Sequence, residues 1–260
     1  MKPDVRICAD VNELSLRAAE TAVGTIGDAV RHHGRCSLVL SGGSTPRTLY
    51  TLLASEFRDR IPWTHVHVFW GDERYVLPHD PDSNYRMAKE VLLDHVTCPA
   101  ENIHPMPTYF PSADDAARDY EDTLRGYFGT PSPHFDLILL GLGEEGHTAS
   151  LFPGSPALGE RTRWVVAVNA SARPPLRLTL TLPALTAAAN IHVLVAGSTK
   201  AGALQHVLTG IPDPSTYPAA GLRFTEGTLI WWVDRGAAAP QAASTPAGTD
   251  APRDQVRIRE

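Results

Sequence analysis

Short apolar runs alternate along the chain with longer stretches in which apolar residues recur every three to four positions. VRICA reads as a first strand. Residues 11–33 form a long amphipathic helix, with Leu14, Ala18, Ala22 and Ile26 near helical period. CSLVLSGG is a buried strand ending in a glycine turn, and residues 45–57 are helical. HVHVFWGDE is another strand, followed by a helix over 83–96, the proline-rich connection PAENIHPMPTYFPS and a helix over 114–128. DLILLGLG, WVVAVNA, RLTLTL and NIHVLVAGS then read as strands, the last entering a helix over 199–208, and TLIWWVD closes the pattern.

Strands alternating with helices predict an α/β fold, doubly wound around a mostly parallel sheet with helices on both faces. The runs LILLG and VLVAG are apolar throughout, as strands covered on both sides require. Ligands of such sheets collect at the carboxyl ends of strands, and the unusual residues of this chain all follow strands. One domain is expected over residues 1–235. From 236 to 260 the composition turns to Ala, Pro, Ser and Thr, which predicts a disordered tail.

Composition narrows the function. The chain has 260 residues, 43% hydrophobic and 20% charged, ordinary for a globular enzyme. A net charge of -6 offers no general attraction to nucleic acid or to an anionic membrane, while leaving room for a local cationic pocket. Cys8, Cys36 and Cys98 are odd in number and contain no C-x-x-C pair, against a disulfide framework or structural zinc. No apolar run approaches the roughly 20 residues that span a bilayer, and the N-terminus lacks a signal-peptide core, so a cytoplasmic protein is expected.

Three strand ends carry chemistry. In Ser41-Gly42-Gly43-Ser44-Thr45-Pro46 the glycines admit a ligand close to the backbone. The hydroxyls of Ser44 and Thr45, with free N–H groups at a helix start, suit an anion. A glycine turn with a helix cap is the alternative, and no G-K-[ST] follows to make a P-loop. Asp72-Glu73-Arg74 reads either as a solvated loop or as a site in which Arg74 holds phosphate or a developing oxyanion. Ser83-Asn84 starts a helix, as a cap or as a ligand contact.

The third is Gly141-Leu142-Gly143-Glu144-Glu145-Gly146, which fits G-x-G-x-x-G. The dinucleotide reading fails on context. Glu144 and Glu145 would repel a pyrophosphate, Pro153-Gly154 stops the following helix early, and the next strand ends in Asn169 where a ribose-binding acid belongs. His147 instead stands at the predicted start of a short helix, whose N-terminus would keep the ring neutral, with Glu145 near enough to orient it. A neutral, oriented histidine beside open glycine backbone can act as a general base. Arg177 and Lys200, at further strand ends, could complete a phosphate pocket. No G-x-S-x-G elbow marks a serine nucleophile.

Taken in order, these elements resemble the 6-phosphogluconolactonase family. They are Ser41 to Pro46, Asp72-Glu73-Arg74, Ser83-Asn84, the block Gly146-His147-Thr148-Ala149-Ser150-Leu151-Phe152-Pro153, Arg177-Leu178-Thr179-Leu180-Thr181 and the Gly197 to Lys200 turn. The resemblance covers about residues 5 to 235. A related family, glucosamine-6-phosphate deaminase, has Asp-Glu-Tyr where this chain has Asp72-Glu73-Arg74. The lactonase pattern has Asp two residues before the histidine, where this chain has Glu145. The resemblance implies hydrolysis of 6-phospho-D-glucono-1,5-lactone in the pentose phosphate pathway, with no metal and no organic cofactor. It implies His147, Glu145 and Arg74 as catalytic residues. Gly42, Gly43, Ser44, Thr45, Asp72, Asn84, Gly143, Arg177 and Lys200 would bind substrate or phosphate. The expected partner is the small-molecule lactone, with neither nucleic acid nor membrane, and a monomer is consistent with the sequence. A deaminase or isomerase using Asp72 or Glu73 to move a proton from carbon, and a non-catalytic sugar-phosphate binder, are the alternatives.

Overall fold

Five consecutive buried residues, Cys36–Leu40, make strand β2, and Leu137–Gly141 makes β5, buried in its first four positions. Strands buried at successive positions must be covered on both faces. They lie at the centre of a sheet that also contains β1 (Asp4–Cys8), β3 (Val66–Trp70), β8 (Asn190–Val195) and β9 (Thr228–Asp234), in the order β1-β9-β8-β5-β2-β3. Every pairing in it is parallel. The computed structural model describes residues 4–209, 211 and 213–239.

The helices follow their sequence signals. Helix α1 (Val11–His33) is capped by Asp10, whose carboxylate accepts from Asn12 N and Glu13 N, and it ends on left-handed Gly34. Helices α2 (Ser44–Ala54), α3 (Asn84–Val91) and α4 (Ala113–Phe128) follow. The helix expected over 83–96 stops at Val91, and residues 93–95 form a single 3₁₀ turn. Short α5 (Leu182–Thr186), α6 (Ala201–Leu208) and α7 (Arg235–Ala238) complete the set. Helix α7 is capped by Asp234 and buries Ala237, so ordered chain continues past the expected start of the tail at 236. Residues 240–260, the rest of that tail, lie outside the described residues.

WVVAVNA and RLTLTL do not join the parallel sheet. Strands β6 (Val165–Asn169) and β7 (Leu176–Leu180) pair antiparallel, because the segment between them is too short for a crossover. Strand β4 (Asp72–Arg74) adds to β7 on its other side, giving a second sheet in the order β4-β7-β6. The charged triplet is therefore a strand rather than a solvated loop, and Asp72 and Glu73 are buried. Gly71 joins the two sheets: its N–H donates to Leu40 O (2.9 Å) and its carbonyl accepts from Leu180 N (2.8 Å). Among the described residues, no helix is long and apolar enough to cross a membrane, and no group of His, Cys, Asp or Glu is placed to hold a metal ion.

Candidate active site

The chain leaves β2 toward β3 on one side of the sheet and leaves β5 toward β8 on the other. Connections that diverge in this way open a crevice at the carboxyl ends of the strands. Here it is a cleft of about 210 Å³. Its walls include Gly42, Gly43, Ser44 and Thr45 after β2, Asp72 and Arg74 on β4, Asn84 on α3, Gly143 and His147 after β5, Arg177 on β7 and Lys200 after β8. Of the residues chosen from the sequence, Glu145 alone is not part of that wall.

The glycine loop supplies no side-chain cap to the helix that follows it. Gly43, at φ 105°, is the residue preceding α2, and no side chain caps the helix. Ser44 is thus the first helical residue, not the cap, and no side chain caps the first-turn N–H groups. Asn84 covers Gly42 so closely that a β-carbon there would overlap its amide. Its Nδ2 donates to Asp72 O (2.9 Å) and Oδ1 (3.3 Å), and its buried Oδ1 has no partner among the described residues. Asp72 Oδ2 accepts from Ser150 Oγ at 2.6 Å. Asp72 therefore fixes the wall of the cleft more than it reaches into it.

Glu73 is the hidden brace of this region. Its carboxylate accepts from Arg74 N, Asn84 N and Tyr85 N, each at 2.7 Å, and from Ser83 Oγ at 3.1 Å. One side chain so ties β4 to the first turn of α3. Burial raises its pKa to about 7 against the pull of the three N–H donors.

Three cations converge on the cleft. Arg177 is buried, held by Pro174 O (3.0 Å), Arg173 O (3.4 Å) and Ser150 Oγ (3.5 Å). Burial holds its guanidinium below the usual arginine range, with Asp72 opposing and Arg74 adding to the effect. Arg74 donates to Asp82 O at 2.5 Å, and its buried Nε has no partner among the described residues. Lys200 lies 3.7 Å from Glu144, and its turn is held by Asp234, which accepts from Gly197 N at 3.0 Å.

His147 does not begin a helix. Gly146 at φ 83° and Ala149 at φ 48° are both left-handed, which breaks the helical ladder. The segment instead closes as a tight turn, with Leu151 N donating to Thr148 O at 3.0 Å. No helix dipole therefore acts on the ring. The His147 backbone is held by Gly143, whose N–H donates to His147 O (2.8 Å), and its ring is stacked on Phe152 at 4.3 Å. Glu145 Oε2 lies 3.2 Å from His147 Nδ1 but is not aligned as a hydrogen bond. Burial works to raise the Glu145 carboxyl, but its own N–H, His147 and Lys200 outweigh it and hold it below the ordinary range.

A family model described as glucosamine-6-phosphate isomerases/6-phosphogluconolactonase matches residues 9–231. The chain belongs to that family. It is 43% identical over 240 residues to a 6-phosphogluconolactonase of Synechocystis sp., covering 91% of this chain and 98% of that one. It is 42% identical over 246 residues to a 6-phosphogluconolactonase of Mycobacterium tuberculosis, covering 92% and 98%. The solved structure of the Trypanosoma brucei 6-phosphogluconolactonase superposes with a TM-score of 0.82 at 32% identity, covering 91% of this chain and 98% of that one.

Sequence reasoning missed two contributors. Ser150 bridges Asp72 and Arg177, and Phe152 stacks on His147. Both stand inside the most specific block of the family pattern, so the signal was present without a role attached to it.

Proposed function

We propose that the protein hydrolyses 6-phospho-D-glucono-1,5-lactone to 6-phosphogluconate in the oxidative pentose phosphate pathway, in the cytoplasm. The observation that carries this reading is the convergence of one half-buried histidine and three cations on a single cleft at the strand ends. Family membership supports it.

The δ-lactone is an activated ester, so water suffices as nucleophile. His147 takes a proton from that water as its oxygen bonds to the lactone carbonyl carbon. The carbonyl oxygen becomes an oxyanion, stabilised by backbone N–H groups or a cation. When the tetrahedral intermediate collapses, the ring C–O bond breaks and the departing ring oxygen receives the proton from His147. The α2 first turn, Arg74, Arg177 and Lys200 hold the phosphate and the oxyanion, and Asn84 holds the sugar. Glu145, beside Nδ1, favours the imidazolium that forms in passing.

The test is lactone hydrolysis above the spontaneous rate, comparing wild type with His147→Gln. Loss of roughly 10²–10⁴-fold in kcat is expected for one general base. Equal turnover in the variant would sink the base role, and ammonia release from glucosamine 6-phosphate without lactone hydrolysis would sink the assignment.

A further inference from the structure

His147 enters the cleft from a loop, and no hydrogen bond holds its buried Nδ1 among the described residues. Glu145 Oε2 lies 3.2 Å from that nitrogen without hydrogen-bond alignment, so the surfaces around the ring also set its orientation. Along one side runs the Gly143 backbone, where a β-carbon would collide with the imidazole. Over one face lies Phe152, centroid to centroid 4.3 Å and 27° from parallel. Phe152 is itself 5% exposed, so its ring has a fixed seat. The Arg177 guanidinium carbon lies 5.6 Å from the centre of the same ring. Arg177 is itself held by Pro174 O, Arg173 O and Ser150 Oγ.

We propose that Phe152 is a positioning residue for the hydrolytic step: its ring holds the His147 imidazole by the face. The inference rests on His147 as the proton acceptor. An aromatic ring suits both neighbours. Its flat face fixes the imidazole plane, and its negative quadrupole tolerates the imidazolium formed during turnover as well as the guanidinium. A branched aliphatic side chain of similar volume fills the space and lets the imidazole tilt. Misplacement of a catalytic group by about 1 Å can cost on the order of 10²-fold in rate.

The experiment is a double-mutant cycle on steady-state lactone hydrolysis with wild type, Phe152→Leu, His147→Gln and the double variant, plus Phe152→Tyr, all checked by thermal melting. We expect Phe152→Leu to lower kcat about tenfold to hundredfold with KM within about twofold, and Phe152→Tyr to restore most of kcat. In the His147→Gln background, Phe152→Leu should cost nothing more, because the residue it positions is gone. The upfield ring-current shift of the His147 imidazole protons in the NMR spectrum should vanish in Phe152→Leu and persist in Phe152→Tyr. A Phe152→Leu enzyme with unchanged kcat overturns the proposal, as does an equal loss in the His147→Gln background. If His147→Gln itself is fully active, the general-base reading falls instead, and the two failures are told apart within one cycle.

Discussion

Arg74 and Arg177 stand directly opposite each other on neighbouring antiparallel strands, two cations paired in register across β4 and β7. Opposed side chains of an antiparallel pair share a face, and like charges there repel. Both residues border the cleft, so an anion seated between them relieves that repulsion. Arg74→Ala should raise KM roughly 10- to 100-fold with a smaller change in kcat, as expected for loss of a charge-assisted hydrogen bond worth about 1.5–3 kcal/mol. Thermal melting gives the second check. Saturating 6-phosphogluconate should raise the wild-type Tm by several degrees and leave Arg74→Ala nearly unmoved.

Gly143→Ala should disable the enzyme without unfolding it. The added methyl would overlap His147, and the ring must move to admit it. Loss of about 10²-fold or more in kcat is expected, with a far-UV circular dichroism spectrum like that of wild type. An active Gly143→Ala enzyme would show that the ring does not work from the position described.

Acid should destabilise the fold through its buried histidines. His192, wholly inside β8, has its pKa lowered to about 4 by burial, with Arg6 adding to the effect. Burial, with His67 adding, lowers His104 to about 4, and burial and Arg35 lower His67. A depressed folded pKa gives stability that is complete above the unfolded value of 6.5 and is lost as pH falls through the folded one. For His192 the whole effect is on the order of 3 kcal/mol. Urea unfolding between pH 7 and pH 4 should show this loss, and His192→Leu should flatten the curve. An identical slope in the variant would refute the assignment.

Glu73 works in the opposite direction. Its folded pKa, about 7, lies above the ordinary carboxyl value, so its contribution is complete below about 4.5 and declines as pH rises through 7. Glu73→Gln presents an amide to four donors and should destabilise the fold by about 2 kcal/mol or more, because buried donors lose their acceptor. The gap between wild type and variant should narrow between pH 5 and pH 8. KM should rise as well, since the same carboxylate places Arg74 and Asn84. A gap that widens with pH would mean that Glu73 stabilises the fold as the anion.

The parts of this molecule readable in advance were those whose pattern is local. Cys36–Leu40 and Leu137–Gly141 are near-continuous apolar runs, and the helical period of Leu14, Ala18, Ala22 and Ile26 lies within α1, whose bounds are those expected, Val11–His33. Gly42 to Thr45, Gly143, His147 and Lys200 stood out because they follow β2, β5 and β8, whereas Asp72, Arg74 and Arg177 lie on strands of the second sheet. Asp72-Glu73-Arg74 was opaque for a physical reason: its strand character comes from β7, about a hundred residues away, whose pairing shelters the acids. The block after Gly146 misled because Ala149 adopts a left-handed conformation that residue type does not announce. Phe152 stayed without a role because a stack is a relation between surfaces, which spacing along a chain does not record.

The sheet order also constrains how the molecule comes into being. Among the described residues, strand β1 (Asp4–Cys8) has β9 (Thr228–Asp234) as its sole neighbour in the sheet. The first of the described strands must therefore wait for the last of them. Until then β8 also lacks one flank, and the Gly197 turn that carries Lys200 lacks the Asp234 carboxylate that secures it. Arrested nascent chains ending before residue 228 should thus hold an incomplete sheet, and the Lys200 side of the cleft takes its working shape only once β9 has joined β8.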